Sequence, residues 1–274
     1  MNKKMRFKLV LIIVVVFSTC SLHNNEKDFI IEVIDNGKSA MIVKYVGTNT
    51  QVRIPPQIQG LPITVIGFES FCEKQLTKVT IPDSVIHIGY EAFFMNKLAK
   101  ITIPKNVITI EGWAFAYNEL TSVIIPPSVT VIGYQAFMEN QLINVALSDS
   151  VSSIGAYAFA HNFITSVTIG AGVTTIGEGT FMNNRLTDIT IGNNVTTIGE
   201  GAFAHNLLAS ITIPSNVTTI ERSVFYANNL TNITIGAHIS IESGAFDNRF
   251  AAFYEAQGYR AGTYTYSNGQ WTVR

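Results

Sequence analysis

The sequence predicts a mostly β solenoid of short parallel strands, closed by a β-hairpin at each end. Three observations predict it. Phe71, Phe93, Phe115, Phe137, Phe159, Phe181, Phe203 and Phe225 recur every 22 residues, and Phe246 follows after 21. Eight and ten residues after each Phe stands an apolar pair such as Val79/Ile81 or Ile211/Ile213, and that period of two in β-branched residues marks a strand with alternate side chains inward. Three residues after Phe comes asparagine, as Asn96, Asn118, Asn140, Asn162, Asn184, Asn206 and Asn228. A repeat of this length supplies only about six inward side chains, so the coils must stack to bury a common core.

The chain opens differently. Lys3, Lys4, Arg6 and Lys8 precede the apolar run "LVLIIVVVF", Leu9 to Phe17, which is followed by "STC". A basic start and about ten apolar residues make a secretion signal, too short to span a bilayer. "FSTC" resembles a bacterial lipobox, and that likeness implies that residues 1–20 form a lipoprotein-type signal with Cys20 as the lipidated first residue of the mature chain. Acyl chains on Cys20 would then hold the protein to a membrane. Cys72 is the second of two cysteines, so a chain lipidated at Cys20 has no disulfide and relies on packing and backbone hydrogen bonds. Residues 21–66 hold a polar tether, "SLHNNEKD", and an N-terminal cap. In that cap two extended runs flank Asp35-Asn36-Gly37-Lys38, a hairpin turn signal.

Residues 67–249 carry the repeats. Five residues after Phe stands Leu or Ile, as in Leu76, Leu98 and Ile164; a second extended side is marked by pairs such as Val195/Ile198. The column from Asn96 to Asn228 is expected to be a structural ladder, because a stacked amide can donate to one neighbour and accept from another where a buried turn lacks strand partners. Lys74 takes that place in the first repeat, where a ladder would end. The pattern L-x-x-V-x-I-P-x-x-V-x-x-I-G-x-x-A-F resembles the BspA-like leucine-rich repeats of bacterial surface proteins, in the variant with Asn where Cys is common after the Phe. The resemblance covers about Ile54 to Asn248. It implies a leucine-rich-repeat solenoid, export, and adhesion to host extracellular matrix, epithelial cells or other bacteria, with no cofactor. Residues 250–274 close the chain: "RFAAFYEAQG" has helical spacing and a Gly258 stop, and "GTYTYSNGQWTVR" is a hairpin turning at Asn268-Gly269, with Tyr264, Tyr266 and Trp271 placed to cover the last coil.

Chemistry has little to stand on. Charged residues are 14% of the chain and nearly balanced, which leaves no basic field for nucleic acid. The histidines at 23, 87, 161, 205 and 238 form no metal-ligand spacing; the "GEG" triplets at 177–179 and 199–201 recur with the coil and serve turns. Glu111, Glu221 and Glu242 stand where Gly is usual, in separate coils, and make no acid/base pair. The reading is a non-enzyme, a monomer without metal, whose outer surface does the work. Two surfaces qualify. One is the Thr row nine residues after Phe (Thr80, Thr102, Thr168, Thr190, Thr212 and Thr234, interrupted by Ile124 and Ala146), on strands expected to form the concave side. The other is the aromatic set Tyr90, Trp113, Tyr117, Tyr134 and Tyr157, in the turns around the Ala-Phe step. The expectation is a lipid-anchored adhesin at the cell surface or outer membrane that binds protein ligands; the alternative is a structural or scaffolding lipoprotein of the envelope.

Overall fold

The computed structural model describes residues 24–247 and 249–274, so Cys20 and its signal lie outside the described residues. Strands Phe29–Ile34 and Ser39–Tyr45 pair antiparallel across a 3-10 turn at Asp35–Gly37. Ser39–Tyr45 then pairs parallel with Leu61–Ile66, and this strand starts a ladder that adds His87–Ile88, Thr109–Ile110, Val131–Ile132 and Ser153–Ile154. Thr175–Ile176 to Ser240–Ile241 extend the same side in a second parallel sheet. Each step advances one coil and keeps Ile against Ile, because a repeat of constant length places each residue over its counterpart.

The opposite side is built from three-residue strands in which only the middle residue is buried, as in Lys78–Thr80 and Ser122–Ile124, and ends on the four-residue strand Asn232–Ile235 with Ile233 and Ile235 buried. Pairing there is interrupted. Gln51–Arg53 pairs with Lys78–Thr80, Ser122–Ile124 to Asp188–Thr190 form one sheet, and Ser210–Thr212 pairs with Asn232–Ile235. The expected strand at Lys100–Thr102 does not form. Lys78 and Lys100 occupy the same column one coil apart, and like charges directly opposite disfavour pairing on that side; the breaks from this segment to Ser122–Ile124 and from Asp188–Thr190 to Ser210–Thr212 have no like-charge pair. Thr102 therefore lies on an unpaired segment, beside a groove of about 560 Å³ lined by residues of the two coils.

Between the two sides runs a spine of phenylalanines. Rings from Phe71 to Phe225 are fully buried and stack with centroids 5.0–5.8 Å apart. The caps extend it with their own aromatics. Tyr45 stacks on Phe71 at 5.4 Å, while Phe250, from the helix Phe250–Ala256, meets Phe246 edge-on at 4.9 Å. Tyr264 and Trp271, both buried, close over Phe250 from the C-terminal hairpin Gly262–Ser267 and Gln270–Val273; Tyr266 is half-buried against Trp271.

Hydrogen bonds around the spine explain the Asn column. Each Phe N–H donates to the residue before the next Phe, as Phe93 does to the Ala114 carbonyl at 2.8 Å and Phe115 to that of Ala136 at 2.8 Å. The Phe carbonyl is left to asparagine. Asn140 Nδ2 donates to Phe115 O of the preceding coil at 2.9 Å and to Phe137 O of its own at 3.2 Å, while Oδ1 accepts from Leu120 N at 3.0 Å.

The other members of the column repeat these bonds. Asn96 bonds to Phe71 O and Leu76 N, Asn118 to Phe93 O and Leu98 N, and Asn162 to Phe137 O and Leu142 N. Asn184 bonds to Phe159 O and Ile164 N, Asn206 to Phe181 O and Leu186 N, and Asn228 to Phe203 O and Leu208 N. The column thus meets the backbone groups that the turn leaves without strand partners: each amide donates to a Phe carbonyl and accepts from a Leu or Ile N–H one coil back, so the bonds run to backbone and not from one Asn to the next. The column from Asn96 to Asn206 is buried, whereas Asn228 is only half-buried beside the C-terminal cap. Since each Asn serves the coil before it, the first coil needs none, which is why Lys74 is tolerated there.

Removing Asn140 leaves the buried Leu120 N–H without its acceptor and takes one of two asparagine donors from each of Phe115 O and Phe137 O, which keep Asn118 and Asn162. Asn140→Ala should lower the unfolding free energy by about 3 kcal/mol, measured by urea denaturation, whereas Lys74→Ala should change it by about 0.5 kcal/mol or less. Equal effects of the two would contradict this assignment.

Candidate binding surface

Every coil turns at two positions of left-handed backbone, two residues before and two after the Phe. The first column holds Glu69, Glu91, Trp113, Gln135, Tyr157, Gly179, Gly201 and Ser223, with φ between 49° and 61°. The second holds Glu73, Met95, Tyr117, Glu139, His161, Asn183, His205 and Ala227, with φ between 52° and 56°. For a bulky L-residue this conformation costs about 1–2 kcal/mol, and glycine escapes the cost. Trp113, Tyr117 and Tyr157 accept it. Their side chains project from the turns and not into the core.

The five aromatics picked out from the sequence come together along this edge. Trp113 and Tyr117 stack with centroids 6.2 Å apart and planes 7° apart; Trp113 meets Tyr134 at 6.1 Å, and Tyr134 meets Tyr157 at 6.4 Å. Tyr90 lies over Gly112 of the next coil, whose added Cβ would come 2.9 Å from the Tyr90 ring. Tyr157 covers Gly179 in the same way and donates its phenol proton to Glu178 Oε1 at 2.5 Å. Two members were missed. Phe68, 61% exposed, stacks on Tyr90 at 5.9 Å, and Phe94 meets Trp113 and Tyr117 edge-on at 5.4 and 5.5 Å. The signal for Phe68 was present, since Phe68, Tyr90 and Tyr134 share one repeat position, in which Gly112 also falls.

Carboxylates are interleaved with these rings. Glu111, where Gly is usual, reaches back one coil: Oε2 accepts from Tyr90 N at 2.9 Å and Oε1 lies 3.2 Å from His87 Nε2. Glu221 does the same for Glu200 N at 2.9 Å. Both replacements therefore satisfy an outer backbone N–H that the next turn leaves open. Glu69 and Glu91 stand one coil apart. Burial first, and then the Glu69 carboxylate, pushes the Glu91 carboxyl above the usual carboxylate range. The half-buried Cys72 thiol is pushed up to about 11 by burial first, then by Glu73, Glu69 and Glu91. The hydrogen bond to Glu178, ahead of burial, pushes the Tyr157 phenol up to about 12.

The Thr row is less uniform than its sequence spacing. Thr80, Thr102, Thr168, Thr190 and Thr212 are exposed, but Thr234 is covered by the C-terminal hairpin, with Oγ1 3.1 Å from Thr263 Oγ1. Ile124, 75% exposed, breaks the row. His161 contacts Glu139 and Asn183, and His205 packs on Tyr226. Among the described residues no group of three or more His, Cys, Asp or Glu is placed to hold a metal, and no helix is long and apolar enough to cross a membrane.

The family of BspA type leucine rich repeat regions matches residues 64–185 and 130–252, in six copies. The chain belongs to that family. Its fold is shared with the crystal structure of a T. pallidum leucine rich repeat protein, at 30% identity and a TM-score of 0.59, over 67% of this chain and 88% of that one. A leucine rich cell surface protein from Faecalibacterium prausnitzii is similar at 28% identity and a TM-score of 0.55, over 92% of this chain and 60% of that one. No curated protein sequence matches the chain. In these BspA-type repeats the inward Phe, Leu, Ile and Asn columns make the coil, and the left-handed turn positions are free to vary.

The raised Glu91 carboxyl has a sign that can be checked. A carboxyl whose folded pKa lies above its unfolded value weakens the fold once deprotonated, and that penalty disappears as pH falls through the folded pKa to the unfolded one. Glu91→Gln should therefore raise the melting temperature at about pH 7, with the difference closing by about pH 4. Identical melting of the two chains at neutral pH would contradict the assignment.

Proposed function

We propose that this chain is an exported surface-binding protein, anchored through acyl chains on Cys20, that adheres to host matrix, host cells or other bacteria by engaging their surface proteins. The observation that carries this reading is the aromatic edge in which Trp113, Tyr117, Tyr134 and Tyr157 are joined by ring contacts and Tyr90 stacks on Phe68 beside them. Tyr and Trp combine large apolar area with a polar tip and little conformational freedom, and they are enriched where proteins bind one another. Here three of them sit in left-handed turns, and in the column of Trp113 and Tyr157 the next two coils carry Gly179 and Gly201. Packing across the turns, as of Tyr157 on Gly179 and Trp113 on Tyr117, accounts for part of this choice; presentation of the rings to a partner accounts for bulky residues where glycine also fits. The family and the described cell surface location of the F. prausnitzii relative support the same reading.

Purified residues 21–274 should bind saturably to immobilised matrix proteins or to epithelial cells. Trp113→Ala combined with Tyr134→Ala should weaken that binding about 30-fold, as loss of about 2 kcal/mol of anchor energy demands. In the source cell, Cys20→Ala should release the chain from the membrane fraction, and protease added to intact cells should remove the anchored protein. Survival under protease with no saturable binding would instead favour a scaffolding lipoprotein within the envelope.

A further inference from the structure

The edge that carries the aromatics also carries the charge of the molecule. Over the turn segments 67–74, 89–96, 111–118, 133–140, 155–162, 177–184 and 199–206 stand seven carboxylates (Glu69, Glu73, Glu91, Glu111, Glu139, Glu178 and Glu200) against one amine, Lys74, a net of −6. Beyond residue 23 the chain has 19 acidic residues and 14 basic ones, the four others being Lys3, Lys4, Arg6 and Lys8, a net of −5. Everything outside this edge therefore sums to +1. A nearly neutral protein has placed its whole imbalance on one strip.

That strip alternates rings and carboxylates. Phe68 adjoins Glu69, Tyr90 adjoins Glu91, and Trp113 follows Glu111 two residues on. Phe68 and Tyr90 stack between neighbouring turns and Trp113 and Tyr117 within one turn, and Phe68, Tyr90 and Tyr117 stay exposed beside the carboxylates. Among the described residues the ion pairs are His87–Glu111, Lys105–Asp83 and His161–Glu139; no basic side chain pairs with Glu69, Glu73 or Glu91. Glu69 and Glu91 repel across one coil step, and a cation laid between them would relieve both.

We infer that this edge takes a lysine- or arginine-rich segment of a partner protein, its cationic side chains seated against Phe68, Tyr90 and Trp113 and paired with Glu69 and Glu91. Ring faces attract ammonium and guanidinium groups through the quadrupole, and a neighbouring carboxylate supplies the countercharge. Neutral glycans would use the rings and donate hydroxyls to the carboxylates, but would draw nothing from the net charge and would bind independently of salt. Anionic polymers would be repelled. The inference rests on the surface-binding reading above and names the chemistry of its partner.

A twelve-residue peptide of alternating Lys and Ser is the probe, with an alternating Glu and Ser peptide and neutral dextran as controls, and calorimetry on residues 21–274 as the measurement. The lysine peptide should bind, and its affinity should fall by about tenfold or more between 50 and 300 mM NaCl, because the contacts lie on a screened surface. Glu69→Gln with Glu91→Gln should weaken binding about tenfold; so should Trp113→Gly, a residue that Gly179 and Gly201 show the turn accepts, with the melting temperature kept. Equal binding of the Glu peptide, salt-independent binding of dextran in place of the peptide, or unaltered binding by these variants would overturn the inference. Peptide binding that survives while matrix and cell binding are absent would leave this site standing and remove adhesion; surface binding untouched by Trp113→Gly would do the reverse.

Discussion

One side-chain amide per coil decides whether this chain can be a solenoid. A coil of 22 residues must turn sharply beside a buried phenylalanine, and at that turn the Phe carbonyl and the Leu N–H have no strand partner. The asparagine three residues after Phe takes both carbonyls flanking it and the preceding Leu N–H, as Asn118 does for Phe93, Phe115 and Leu98. Left unmet, these buried groups would cost more than the stacking of one Phe ring returns, since each unsatisfied group costs about 1–3 kcal/mol and an aromatic pair gains about 0.5–1.5 kcal/mol beyond area burial. Because every amide reaches back one coil, the bonds also set the register between coils. Phe stacks on Phe as a consequence.

The ends follow from the same logic. A stack held by contacts between neighbours fails first at a terminal coil, where apolar surface and open backbone meet water. Here each cap supplies an aromatic that continues the spine, Tyr45 at one end and Phe250 at the other, together with strands that continue a ladder. With Cys72 unpaired among the described residues, no covalent tie assists them.

Most of this was legible in the sequence because a repeat writes each constraint many times. The Phe, Leu and Asn columns, the two extended sides and the hairpin at each end are all visible as spacing. What was not legible depends on comparison between adjacent coils or on backbone sign. Spacing alone shows the column of Asn96, Asn184 and Asn228 but not which backbone groups it meets, 20 and 25 residues earlier in the chain. The missing strand at Lys100–Thr102 has a like-charged neighbour 22 residues away on one side, a relation that strand propensity ignores. Glu111 and Glu221 looked like replacements for Gly, and only three dimensions show their carboxylates meeting the N–H of Tyr90 and Glu200. Trp113, Tyr117 and Tyr157 were read as turn aromatics; that they occupy left-handed positions, and that Phe68 and Phe94 join them, needed φ values and ring contacts. Sequence periodicity records what is common to the coils, while a binding edge lies in what differs between them.

The division of labour is therefore between columns that cannot vary and two turn positions that can. It stands or falls with the amide bonds. Native-state hydrogen exchange reads them residue by residue, because Leu98, Leu120, Leu142 and Leu186 N–H groups have no backbone acceptor and are bonded to Asn118, Asn140, Asn162 and Asn206. These leucine amides should exchange as slowly as those of the strand residues Val123 and Val167, with protection reaching the free energy of global unfolding. Exchange of the leucine amides at the rate of open turns, while the strands stay protected, would contradict the claim that asparagine holds the coils together.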